Sequence, residues 1–127
     1  MEKDFDGALN SFVIGVKKII DDYFGSQFPN THATIEHDIL VNYGPRFAKI
    51  VNVERERDNP RKEIAKSAFA FVAIGDGNNK TLGEWKAGDI FKPASWSTPA
   101  KGARGNIFDD DNGLSKIGPY GPQYLRR

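Results

Sequence analysis

The hydrophobic pattern of this chain changes period once, and that change restricts what it can fold into. Over residues 4–25 the apolar side chains Phe5, Leu9, Phe12, Val13, Val16, Ile19, Ile20 and Tyr23 recur at spacings of three and four, as on one face of an α-helix. Asp4 or Asp6 is placed to cap its start, and Gly25 followed by Pro29 supplies a stop signal. Over residues 34–53 the period falls to two. Ile35, His37, Ile39 and Val41 alternate with Thr34, Glu36, Asp38 and Leu40, and Phe47, Lys49, Val51 and Val53 alternate with Ala48, Ile50 and Asn52. Tyr43-Gly44-Pro45-Arg46 between the two runs suits a reversing turn, so the spacing predicts an antiparallel hairpin. An amphipathic helix and a sheet each have an apolar face to bury, and the economical solution is to pack one on the other. Gly15 interrupts the helix pattern at a cost of up to about 1 kcal/mol relative to alanine, unless another part of the chain needs to approach closely there.

The remaining segments are less regular. Residues 54–66 mix both signs of charge around Asp58-Asn59-Pro60 with Ile64 almost alone as an apolar side chain, which reads as a solvated loop ending in a short helical turn. Residues 67–74 (Ser-Ala-Phe-Ala-Phe-Val-Ala-Ile) are apolar on both alternating faces. They are expected as a central strand, either covered on both sides or presenting an aromatic face to a ligand. Residues 75–80 turn the chain, residues 88–92 form a return strand, and little regular structure is expected beyond Pro93. The expected fold is therefore α+β, with the N-terminal amphipathic helix packed on an antiparallel sheet of about four strands and an irregular Gly/Pro-rich C-terminal third. Residues 1–127 form one domain, and 109–127 is expected as an extended C-terminal arm. Tyr120, Tyr124 and Leu125 would anchor that arm, on the domain itself or on a partner.

Bulk properties exclude several classes of function. With 127 residues and a formal net charge of +1, the chain has no global attraction to nucleic acid or to an anionic membrane, so any electrostatic recognition must be local. The absence of cysteine removes a disulfide framework, a thiolate metal site and a cysteine nucleophile. The opening Met-Glu-Lys-Asp-Phe-Asp is acidic where a secretory signal is basic, and no apolar run is long enough to span a bilayer; the expectation is a soluble, unexported chain with no membrane partner.

Candidate chemistry is sparse. Gly75-Asp76-Gly77-Asn78-Asn79-Lys80-Thr81 ends in Lys-Thr like a phosphate-cradling loop, but lacks the glycine before the lysine and the required spacing, so a hairpin turn is expected. Asp109-Asp110-Asp111-Asn112-Gly113 holds oxygen ligands for a hard cation, yet counting from Asp109 puts Leu114 and Tyr120 where a helix-loop-helix calcium site wants glycine and glutamate. It reads as a solvated acidic turn, with cation binding as the alternative. His32 and His37 are five apart and fall on opposite faces of a strand, which does not make a metal pair. No constellation has the residue types and spacing that a reaction requires, so the expectation is a protein that is not an enzyme, with no catalytic residue, metal or cofactor.

The stretch over residues 88–108 is more specific. It interleaves Phe91, Trp96 and Phe108 with Lys92, Lys101 and Arg104 and lacks a helical or strand period, close to Trp85 and Lys86. Flat rings for bases to stack on and cations for phosphates are what a single-stranded nucleic-acid binder needs, so Lys92, Trp96, Lys101 and Arg104 beside Phe91 are the candidate binding residues for nucleic acid or another partner. Phe69-Ala70-Phe71-Val72 loosely echoes an aromatic strand of RNA-recognition sheets, without the glycines and basic residue of that motif. The competing reading is that Phe69, Phe71, Phe91 and Trp96 build the core of a small sheet, with Arg104 tying the loop down through carbonyls or Asp109.

The segments Gly88-Asp89-Ile90-Phe91-Lys92-Pro93-Ala94-Ser95-Trp96, Pro99-Ala100-Lys101 and Ala103-Arg104-Gly105-Asn106-Ile107-Phe108 resemble a pattern in small uncharacterised bacteriophage proteins, as does the Tyr-Gly-x-x-Tyr-Leu ending. Gly102 departs from it, standing where a histidine or another larger residue is expected. The resemblance implies a phage origin and action in the host cytoplasm or virion, and brings no established activity. The resulting expectation is a non-enzymatic phage accessory protein that binds nucleic acid or a nucleic-acid-processing protein through its aromatic and basic loop. The alternative is a phage structural or host-inhibitory interaction module that uses its C-terminal segment. An oligomer is compatible with either.

Overall fold

A computed structural model describes residues 4–123. The helix α1 (Phe5–Gln27) is capped as the sequence suggests, with the Asp4 carboxylate accepting a hydrogen bond from the Gly7 amide at 2.6 Å. It does not stop at Gly25. It continues to Gln27, and Pro29 opens a short second helix, α2 (Pro29–Thr34), at the position where a proline's missing N–H costs nothing. At Gly25 itself a Cβ would sit in ordinary contact with the His32 ring, 3.5 Å away, so neither a turn nor close packing requires glycine there.

The predicted hairpin forms from β1 (Ile35–Tyr43) and β2 (Phe47–Glu56), paired without interruption from Ile35 opposite Glu56 to Tyr43 opposite Ala48. The solvated loop expected over 54–66 is instead the end of β2, a tight turn at Arg57-Asp58 and the first half of β3 (Asn59–Ala73). A period-two apolar pattern marks a strand only where one face is buried. Residues 59–67 are exposed on both faces, so nothing selects for alternation. The backbone ladder holds them, helped by ion pairs from Arg55 to Asp38 (3.3 Å) and to Glu63 (3.7 Å) and from Lys62 to Glu56 (3.0 Å).

Where residues 75–80 were expected to turn the chain, Gly77–Asn79 is instead a strand, β4, which turns at residues 80–82 into β5 (Gly83–Trp85); β6 (Asp89–Pro93) is the expected return strand against β3. Beyond Pro93 the chain is more ordered than anticipated. It reverses over residues 94–98, closed by Ala94 N–H to Thr98 C=O (2.8 Å), and runs back as β7 (Pro99–Asn106). The antiparallel sheet thus has five strands rather than four, in the order β1-β2-β3-β6-β7. Two register shifts and the left-handed Gly102 (φ 96°) and Gly105 (φ 131°) break any alternation in β7, which hid it in the sequence.

The segment expected as an arm lies, as far as Gln123, against the domain. Asp111 accepts hydrogen bonds from the Gly113 (2.8 Å) and Ser115 (3.1 Å) amides and so starts a 3-10 turn (Leu114–Lys116). The ribbon of β8 (Ile117–Gly118) and β9 (Gly121–Pro122) follows, with Ile117 and Pro122 buried. Tyr124 and Leu125 fall outside the described residues.

Two apolar clusters sandwich the sheet. On one face Leu9, Phe12, Val16 and Ile20 of α1 meet Ile50, Phe69, Ala70, Val72, Ile90 and Ile107. Burying each of these larger side chains is worth roughly 1.5–3 kcal/mol. A bulge in β3, where Ile50 faces Ala70 but Val51 faces Ala68, lets Phe69 join that side. On the opposite face Phe71, Ala73 and Phe91 lie under Leu82 and Trp85 of the β4-β5 ribbon, so the central strand is covered on both sides. Among the described residues no helix is long and apolar enough to cross a membrane.

Candidate functional site: an aromatic and basic groove

The β4-β5 ribbon covers only part of the face turned away from α1. Trp85 fixes it in place, donating from Nε1 to the Gly75 carbonyl at 3.0 Å, with its ring so close over Gly77 that a Cβ would sit 2.6 Å from Cε2. Phe47 lies at the boundary of the covered region, its ring centroid 5.2 Å from Trp85, 5.9 Å from Phe91 and 6.4 Å from Phe71. Beside it the sheet opens into a groove of about 390 Å³ lined by Asn42, Tyr43, Gly44, Pro45, Arg46, Phe47, Lys49, Phe71 and Ser97. The walls come from the β1-β2 turn on one side and the β6-β7 turn on the other.

The groove's chemistry is one-sided. Its lining holds two cations and three aromatic rings, of which Phe71 is buried and Tyr43 donates its hydroxyl to the Asp6 carboxylate of α1 at 3.5 Å. Lys49 stands 3.8 Å from the centre of the Trp96 ring while its ammonium donates to the Trp96 carbonyl at 3.1 Å, which pins the β6-β7 turn to the sheet. The turn is also closed by a Ser95–Thr98 hydroxyl contact of 2.7 Å. A neighbouring depression lined by Asp76, Asn78, Glu84, Trp85 and Lys86 carries acidic groups, and between the two Arg46 and Asp76 line a common depression.

The structure does not gather the five residues predicted from the sequence onto one surface. Phe91 is buried between the sheet and the ribbon. Arg104 is 6% exposed, donating from Nη1 to the carbonyls of Gly102 (2.8 Å) and Lys101 (3.3 Å); burial pushes its pKa below the usual guanidinium value, and its Nε lacks a partner. It ties the strand to itself through carbonyls. Lys92 reaches the Pro122 carbonyl at 3.1 Å and holds the C-terminal ribbon. Trp96 (44% exposed) stands at the groove, while Lys101 is exposed on β7.

Sequence reasoning missed Tyr43, Arg46, Phe47 and Lys49, reading Tyr-Gly-Pro-Arg only as a turn. The available signal was the same mixture of rings and cations that marked residues 88–108. Tyr120, predicted as an anchor, is 68% exposed and meets Tyr23 (5.6 Å) and Phe24 (5.9 Å) edge-on at the far end of α1. His37 is buried, stacked on Phe24 at 4.5 Å, with Nδ1 3.3 Å from Asn52 Oδ1; His32 sits apart on α2. Among the described residues no three His, Asp or Glu side chains cluster as metal ligands.

Fold and groove together define a small α+β domain built around a half-covered antiparallel sheet. The chain belongs to the Family of unknown function (DUF7717), which it matches over residues 16–118. No curated protein and no solved structure matches it.

Proposed function

We propose that this protein is a non-enzymatic, single-stranded nucleic-acid-binding module, acting as a phage accessory protein in the host cytoplasm. The observation that carries the reading is the groove itself, where Phe47 stands beside Arg46 and Lys49 and the lining has no acidic side chain. Bases offer flat faces to rings and phosphates offer charge to the cations, and neither demands a sequence motif. The near-zero net charge fits a binder that relies on this local patch. The phage assignment is supported by the resemblance of residues 88–108.

Fluorescence anisotropy with a labelled oligothymidylate of roughly 12 nucleotides tests the proposal. Two phosphate contacts predict a log–log salt slope of about −1.4. Replacing Arg46 and Lys49 together by alanine removes binding, while Lys101→Ala leaves it nearly intact. Absence of binding at low salt, or equal loss on replacing Lys101, would overturn it.

A second reading, docking of a partner protein, is favoured by the exposed Tyr120 and Phe28 (68% and 45%) at the far end of α1. Aspartate at Tyr120 would then abolish partner capture without altering oligonucleotide affinity.

A further inference from the structure

The three free edges of the sheet differ in how they are defended. Natural edge strands discourage pairing with another chain by means of proline, lysine, bulges and glycine kinks. The outer edge of β7 has Pro99, Lys101, two left-handed glycines and two register shifts. The part of β3 beyond its short pairing with β6 has Pro60, Lys62, Lys66 and register shifts. In contrast, β1 is nine residues long, contains no proline, glycine, lysine or arginine, and pairs with β2 in unbroken register.

The direction of its backbone groups follows from the two bonds that bracket the hairpin. Gly44 N–H donates to Phe47 C=O and Arg57 N–H to Thr34 C=O, both at 2.9 Å. In an antiparallel ladder inward and outward residues alternate, so the even-numbered residues of β1 bond to β2 while Ile39, Val41 and Tyr43 turn their N–H and C=O groups outward, those of His37 (2% exposed) being covered. On the face away from α1, Leu40 is 39% exposed on this edge, opposite the buried Val51.

We propose that β1 pairs with β1 of a second copy, antiparallel about a two-fold axis at Leu40. Registers centred on Asp38, Ile39 or Leu40 overlap most of the strand and satisfy the outward backbone groups, and side-chain chemistry chooses among them; centring on Asp38 would oppose two carboxylates. Centring on Ile39 would set Asp38 against Leu40 of the other copy, which leaves a carboxylate beside an apolar group. Centring on Leu40 sets Leu40 against Leu40, Ile39 against Val41 and Asp38 against Asn42, with no like charges opposed. The arrangement is isologous and closes as a dimer. An axis normal to the sheet places both grooves on the same side of one continuous ten-stranded sheet. The inference does not depend on what those grooves bind.

The test uses the full chain, which has no cysteine of its own. Sedimentation equilibrium across roughly a hundredfold range of concentration should show a monomer–dimer equilibrium. Leu40→Lys, with its circular dichroism unchanged, should raise the dissociation constant about tenfold or more. At a non-hydrogen-bonded antiparallel pair the Cα atoms are about 4.5 Å apart, within disulfide range. Leu40→Cys should therefore form a cross-linked dimer under mild oxidation, whereas Asn42→Cys, about 13 Å from its own copy in this register, should not. A monomer at every concentration, a dimer indifferent to Leu40→Lys, or equal cross-linking of the two cysteine variants would overturn the proposal.

Discussion

Replacing Gly15 by alanine should destabilise the native protein but stabilise a variant that lacks the Leu114 side chain. Gly15 lies in the middle of α1, where alanine is worth about 1 kcal/mol through helix propensity alone. The Leu114 side chain occupies the space a Cβ would need: it would come within 2.9 Å of Cδ2, 3.1 Å of Cγ, and closer still to Cδ1. Three atoms of a half-buried leucine must move together, and forced repacking of this kind costs typically 1–3 kcal/mol. The single variant should therefore lose up to about 2 kcal/mol, because the packing penalty offsets and exceeds the propensity gain. In a Leu114→Ala background the obstruction is gone, and Gly15→Ala should add about 1 kcal/mol. Urea unfolding followed by circular dichroism at 222 nm, with a common m-value, measures all four corners of the cycle. If Gly15→Ala stabilises both backgrounds equally, the 3-10 turn does not rest on α1 and the account of the C-terminal segment fails.

Two further substitutions probe the electrostatics. The Glu36 carboxylate bridges Lys17 and Arg57, and the Lys17 hydrogen bond, reinforced by the charges of both, holds its pKa below the ordinary 4.5. A depressed carboxyl pKa contributes stability that is complete above the unfolded-state value and is lost as pH falls through the folded-state value. Glu36→Gln should thus cost less than about 1 kcal/mol at neutral pH, since the pair is partly exposed, and nothing once the pH is well below the carboxylate range; a difference that persists in acid would contradict the assignment. Arg104 is a buried cation with carbonyl partners only, so Arg104→Met should stay within about 1 kcal/mol of wild type or exceed it, while Arg104→Ala leaves a cavity and loses about 2–4 kcal/mol. Thermal melts of the two variants decide this, and an equal loss in both would show that the charge itself is required.

The hairpin at residues 35–56 was legible from its period of two and its Gly-Pro turn, and Ile39, Val41, Ala48 and Ile50 do share the face packed on α1. β3 was half legible: residues 69–73 are buried and lie in the segment read as a central strand, whereas residues 59–67 are solvated on both faces and left no pattern where they precede it. β7 was illegible because bulges at glycines shift its side chains between faces, and its pairing to β6 depends on a turn whose closure by Ser95 and Thr98 is a tertiary fact. For the candidate site, composition did not separate Trp96, which is exposed, from Phe91 and Arg104, which are of the same ring and cation types and face inward. A ring or a cation announces what it can do, not which side of a sheet it occupies.

The sequence alone determined that an amphipathic helix would cover a sheet begun by a hairpin, and that recognition by charge would have to be local. These follow from periodicity and composition, which each segment carries by itself. Only the tertiary structure decided that the β4-β5 ribbon covers half of the second face, that Arg46 and Lys49 line the cleft beside it, and that Gly15 is reserved for Leu114. Those outcomes depend on contacts between residues tens of positions apart, and no local pattern specifies which of several compatible surfaces the chain will cover.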